Sequence, residues 1–137
     1  MRHSCEESVC IGSEGDIITV RKTVRDVATS LGFGVTDVTR IVTAVSELTR
    51  NILCFAGSGV MVLNILDKDG GAGIELIFED KGPGIPDIEL AMKVGYTSGG
   101  GLGLGLPGAK RLMDEMEIYS EINKGTTVIV RKWLRSG

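Results

Sequence analysis

The sequence predicts an α+β fold, a two-layer sandwich in which helices cover one face of a mixed, mainly antiparallel β-sheet. Two long stretches with apolar residues at helical spacing occupy residues 16–55. Four shorter β-like runs come later and adjoin in pairs through turns containing Gly, Asp and Asn. Strands joined that tightly pair antiparallel, and amphipathic helices bury their stripes against the resulting sheet.

In order, Val9-Cys10-Ile11 reads as a short strand. Asp16 caps a helix to Leu31, with Val20, Val24, Val27 and Leu31 on one face and Gly32 as its stop. A second helix runs from Thr36 or Asp37 to Phe55 on the stripe Ile41, Val45, Leu48 and Ile52, and ends at Gly57. Strands Val60–Leu66 and Ile74–Glu79 follow, joined by Asp67-Lys68-Asp69-Gly70-Gly71. A loop from Asp80 to about Leu106 leads into a third helix opened by Pro107, with Ala109, Leu112, Met113 and Met116 as its buried face. Strands Glu117–Ile122 and Thr126–Leu134 close the chain around Asn123-Lys124-Gly125. The predicted order is β-α-α-β-β-α-β-β.

A length of 137 residues fits one domain, 1–137, burying about two-thirds of its unfolded surface. Glycine stands out at 20 residues, roughly twice the usual share. These glycines cluster, so they mark backbone-defined loops and not a collagen repeat. A formal charge of −3 leaves no basic footprint for nucleic acid. No run is long and apolar enough to span a membrane, and the start resembles no signal peptide, so the reading is cytoplasmic and soluble. Cys5, Cys10 and Cys54 have no metal-ligand spacing, and the only histidine is His3. Zinc sites, disulfide frameworks and histidine-based triads are therefore set aside.

Three constellations carry chemistry. Glu47 and Asn51 lie ~40° apart on one helix face, at the edge of the buried stripe near Ala44 and Phe55. A carboxylate and an amide one turn apart suit phosphoryl transfer, the acid accepting a hydroxyl proton and the amide oxygen binding Mg²⁺; they also suit a solvated helix face. Asp80 follows Ile74, Leu76 and Phe78 in the period of two, which aims it inward. A carboxylate there either accepts from an amino group, such as that of a nucleobase, or twists out to water. Gly82 and Gly84 allow a tight turn and close ligand approach beside it. The third constellation is Ser98-Gly99-Gly100-Gly101-Leu102-Gly103-Leu104-Gly105-Leu106-Pro107. Glycines running into a helix start line up N–H groups for a polyphosphate, whereas a flexible linker carries polar residues where this run has leucines.

Two familiar motifs fail. Gly103, Gly105 and Gly108 satisfy G-x-G-x-x-G, but no strand precedes them, and Lys110 is wrongly spaced for a Walker loop.

Taken together, Glu47-x-x-x-Asn51, Asp80-x-Gly82-x-Gly84 and Gly101-x-Gly103-x-Gly105 resemble the N, G1 and G2 boxes of the GHKL ATPase/kinase superfamily. That superfamily includes gyrase, heat-shock protein 90, histidine kinases and mismatch-repair ATPases, and the element order is similar to its Bergerat ATP-binding fold. Ser46 to Asn51 and Gly100 to Asp114 most resemble the bacterial anti-sigma-factor and switch-protein serine kinases, in particular the RsbT type of stressosome partner-switching systems. After Asn51, Ile52-Leu53-Cys54-Phe55 replaces the alanine and histidine common in anti-sigma kinases, which favours the RsbT type.

The resemblance implies a role for each matched residue. Glu47 is the general base and Asn51 holds Mg²⁺. Asp80 binds the adenine amino group, with Gly82 and Gly84 shaping its pocket and Thr127 supporting the adenine side. Gly99, Gly100, Gly101, Leu102, Gly103, Leu104 and Gly105 meet the phosphates, and residues 87–99 form an ATP lid. Apart from the resemblance, Arg50 beside these residues suits a contact to phosphate or a partner, and equally an exposed helix arginine that makes neither. The implied activity is an ATP-dependent serine/threonine kinase acting on a STAS-domain protein, both substrate and captor, in a stressosome pathway controlling a sigma factor or other stress response. A PP2C-type phosphatase is the implied second partner, activated by the released kinase. The alternative is an ATP-gated, anti-sigma-factor-like binding module with little kinase activity.

Overall fold

The computed structural model describes residues 2–68, 71–84 and 105–134. Alternation in the sheet and helical periodicity outside it generate β1 (Arg2–Ile11), α1 (Gly15–Leu31), α2 (Val35–Phe55), β2 (Gly59–Lys68), β3 (Gly71–Asp80), α3 (Gly105–Leu112), β4 (Glu115–Glu121) and β5 (Gly125–Trp133). The sheet order is β1-β2-β3-β5-β4. Every pairing among the described residues is antiparallel. The two hairpins, β2–β3 and β4–β5, therefore meet along β3 and β5, with β1 and β4 as edges.

The helices lie on one sheet face, and the core fills the space between. Val20, Val24 and Ala28 of α1 and Ile41, Val45, Leu48 and Ile52 of α2 meet Met61, Leu63, Ile74, Leu76, Phe78, Val128 and Val130 from the strands. Each large aliphatic side chain buried there contributes about 1.5–3 kcal/mol of transfer free energy. No described helix is long and apolar enough to cross a membrane.

Three local expectations change. Asp16 is the second residue of α1, after Gly15. Its carboxylate reaches back to accept from the Gly12 N–H at 2.8 Å and the Ser13 N–H at 3.0 Å. It thus ties down the β1–α1 turn instead of capping its own helix, and these bonds, led by that from Gly12, hold its carboxyl below the usual carboxylate range. Helix α3 starts at Gly105, two residues before Pro107, which occupies the first turn, where its missing N–H is not needed. Met116 belongs to β4 and pairs with Val130. A short apolar run satisfies both periods, and the ladder with β5 decides between them.

The face away from the helices carries a polar row that the register assembles. Asn64, Glu75, Arg131 and Glu115 are successive cross-strand neighbours. Asn64 Nδ2 donates to Glu75 Oε1 at 3.0 Å, and Arg131 Nε donates to Glu75 Oε2 at 2.8 Å. Arg131 Nη1 continues to Glu117 at 2.6 Å and Glu115 at 3.2 Å, while Tyr119 OH donates to Glu117. Glu75 is only 5% exposed, so its charge depends on Arg131.

Candidate nucleotide site

Helix α2 carries the first part of the site. Glu47 is buried at 6% exposure, Ala44 is fully buried, Asn51 is half-buried and Phe55 is 50% exposed. The predicted pair thus sits where the buried stripe gives way to surface, and the solvated-face alternative fails for Glu47. Asp37, Ala44 and Asn51 recur every seven residues along one flank, which packs toward α3.

The sheet supplies the second part. Asp80 ends β3 opposite Gly59 on one side and Thr126 on the other. It shares the helix-side face of Phe78, as the alternation predicts. Its Oδ1 accepts the Gly82 N–H at 2.9 Å, which fixes the carboxylate and turns the chain.

Close packing then holds this segment. A Cβ on Gly82 would lie 2.6 Å from Ala56 Cβ, and Ala56 follows Asn51 by five residues, or ~7.5 Å of helix. Gly84 (φ 83°) sits against the Glu121 carbonyl, and the Asn123 N–H donates to the Pro83 carbonyl at 2.8 Å. Gly125 (φ 124°) passes so close to Asp80 that a Cβ would lie 2.1 Å from its carbonyl oxygen. Both the left-handed backbone and the space require glycine there. The 80–84 segment is wedged between the end of α2 and the β4–β5 turn, and this brings Asp80 to the Asn51 end of α2.

Thr127 does not share that face. It pairs with Glu79 and Tyr119 on the side away from the helices. Thr126, opposite Asp80 and 9% exposed, occupies the site side. Its Oγ1 lies 3.0 Å from Ser120 Oγ, which itself reaches the Gly125 carbonyl at 3.3 Å. The row Asp80–Thr126–Ser120 goes beyond the sequence expectation, although the inward Val128 and Val130 carry the signal for it. A one-residue shift along a strand flips the face.

The third part is the start of α3. Gly105 opens the helix, and Leu106, Pro107, Gly108 and Ala109 are buried. Gly99, Gly100, Gly101, Leu102, Gly103 and Leu104 lie outside the described residues, as does the expected lid at 87–99. Arg50 is half-buried, ~100° around α2 from Asn51. Chemically, a carboxylate beside an amide, a second carboxylate fixed at a sheet end and a helix start converge around the α2 flank.

Residues 36–136 match the family described as Histidine kinase-, DNA gyrase B-, and HSP90-like ATPase. The chain belongs to this ATPase family. It is 48% identical over 130 residues to the serine/threonine-protein kinase RsbT of Bacillus subtilis (strain 168), covering 95% of this chain and 98% of that one. It is 35% identical over 103 residues to the anti-sigma F factor of Geobacillus stearothermophilus, covering 70% and 69% of the two chains. Among solved structures, the RsbU and RsbW domains of Rv1364c from Mycobacterium tuberculosis share the fold, with TM-score 0.65 and 20% identity over 97% of this chain and 34% of that chain. The family resemblance drawn from the three boxes is borne out, and so is the α+β fold expected with it.

Proposed function

We propose that this chain, a protein serine/threonine kinase of the ATPase family, transfers the γ-phosphate of ATP to a serine or threonine of a STAS-domain protein in a cytoplasmic partner-switching pathway. The observation that carries the reading is the buried Glu47 one helical turn from Asn51, on a helix whose C-terminal end packs against the Asp80 segment. Glu47 accepts the proton of the attacking hydroxyl as its oxygen bonds to the γ-phosphorus. The bond from that phosphorus to the bridging oxygen breaks, and ADP leaves. Asp80 accepts from the adenine amino group through the oxygen not engaged by Gly82, and Thr126 takes the adenine-side role expected of Thr127. The start of α3 at Gly105, with the glycines before it, faces the phosphates.

The donor set suits Mg²⁺ carried on the nucleotide. The described residues contain no group of three or more His, Cys, Asp or Glu that could hold an ion. A Mg²⁺ ion held mainly by phosphates and water needs few protein ligands, and Asn51 supplies an amide oxygen. When bound, the ion neutralises phosphate charge.

Asp80→Asn tests the base pocket separately. The amide oxygen still accepts from Gly82, but the amide NH₂ then faces a donor. ATP affinity is expected to fall roughly 10- to 100-fold, read by nucleotide titration, with melting behaviour unchanged. Unaltered affinity would remove Asp80 from the adenine contact.

The partner is the finer part of the proposal. RsbT likeness over nearly the whole chain supports a STAS-domain substrate and captor within a stressosome assembly, and a PP2C-type phosphatase activated by the freed kinase. Likeness to anti-sigma F factors keeps a second reading, an ATP-gated binding module that sequesters a sigma factor. Labelled γ-phosphate from Mg-ATP, added to native cell extract with wild type or Glu47→Ala, separates the two. Acid-stable label on a small STAS-domain protein, lost in the variant, supports the kinase. ATP binding without transfer supports the module.

A further inference from the structure

Lys132 is a charged residue that the site as described does not use, yet it is 5% exposed on the helix side of β5. Buried ammonium groups persist only where partners replace water. Here Nζ donates to the Leu112 carbonyl, the last of α3, at 3.0 Å. It also faces Asp114 Oδ1 at 3.7 Å and Asp37 Oδ1 at 3.9 Å. Asp114 is anchored in turn, since its Oδ2 accepts the Trp133 N–H at 2.8 Å and its own N–H donates to the Arg131 carbonyl at 2.9 Å. Asp37, in the first turn of α2, also receives Arg40 at 3.0 Å.

One ammonium therefore joins the C-terminal end of α3, the N-terminal turn of α2 and the sheet. Lys110 and Arg111 stand in the last turn of α3, where cations usually meet the exposed carbonyls, but both are exposed. The cation that meets the last carbonyl comes from a strand, which fixes the helix to something rigid. With 8 residues, α3 is ~12 Å long, so holding Leu112 fixes the height of Gly105. Measured from Asp37, ~12 Å along α2 ends near Val45, half a turn before Glu47.

We propose that Lys132 is a positioning residue for phosphotransfer. By bracing α3 against α2 at the ends remote from the chemistry, it sets the Gly105 end of α3 against Glu47 and Asn51. The inference rests on the ATP reading given above. It predicts that Lys132 matters for the phosphates and not for the base, because Asp80 and Thr126 are held by the sheet and by the Gly82–Gly84 packing.

The experiment compares ATP and adenosine affinity in wild type, Lys132→Met, Lys132→Arg and Asp37→Asn, all well below their melting temperatures. Lys132→Met is expected to lose roughly tenfold in ATP affinity with adenosine held within about twofold. Lys132→Arg is expected to restore most of the loss, and Asp37→Asn to lose about threefold for ATP alone. Parallel loss of both ligands would signal plain destabilisation and overturn the proposal, as would a folded Lys132→Met that binds ATP normally. If Lys132→Met does not fold, Asp37→Asn decides, and an unchanged ratio there overturns the proposal. A wild type that binds no ATP would instead refute the kinase reading.

Discussion

Glu47→Gln is expected to bind Mg-ATP within about threefold of wild type while slowing phosphotransfer 10²–10⁴-fold. The amide keeps the volume and hydrogen-bonding reach of the carboxylate, so packing around this buried position survives. What it loses is basicity: an amide cannot take the hydroxyl proton as the oxygen attacks. A rate loss without an affinity loss is the mark of an interaction made only in the transition state. Single-turnover transfer to the protein substrate, measured beside nucleotide titration, separates the two quantities. Retained transfer would assign the proton to another group, and a matching collapse in ATP affinity would make Glu47 a binding residue.

Arg131→Met carries the largest expected stability effect. Glu75 is buried, and its charge is compensated by Arg131 Nε at 2.8 Å. Burial works against the guanidinium charge, but hydrogen bonds to Glu75, Glu117 and Glu115 outweigh it and hold Arg131 firmly protonated. Removing that cation leaves a buried carboxylate beside Glu115 and Glu117. The expected cost is about 3–5 kcal/mol, read as a lower urea midpoint at unchanged slope. Adding Glu75→Leu is expected to recover most of the loss, since replacing a whole buried pair is near neutral. The row lies on the face opposite Asp80, so nucleotide affinity in the folded variant stays at its wild-type value. A loss below about 1 kcal/mol would mean that Glu75 finds water or another partner in the absence of Arg131.

Much of this was legible from residue order because local physics dominates there. The stripes of α1 and α2 are amphipathic over four to six turns, and the structure ends them at Leu31 and Phe55 as expected. Glu47 and Asn51 fall on one flank because helical geometry leaves no choice. Asp80 turns inward because Ile74, Leu76 and Phe78 do. The hydrophobic pattern marks only three residues of the strand carrying Cys10, because Glu6 and Glu7 give an edge strand no hydrophobic signal. Its backbone ladder with β2 extends it to Arg2.

What was not legible depends on pairing between distant segments. Asn64, Glu75, Arg131 and Glu115 become neighbours only once β5 inserts between β3 and β4. Lys132 is one strand position from Arg131 and faces the opposite layer, so two adjacent cations serve unrelated networks. Thr126 illustrates the middle ground. Two adjacent threonines match one expected position, and only the face, set by register with Asp80, tells them apart.

The most direct test of a single nucleotide site is an amide-resolved NMR titration of the wild-type chain with Mg-ATP. Shifts are expected at Glu47, Asn51, Asp80, Gly82, Thr126 and the first turn of α3, with Glu75, Thr127 and Arg131 on the far face unmoved. Saturable shifts centred on that far face, or no shift at millimolar Mg-ATP, would contradict the assignment of this flank as the ATP site.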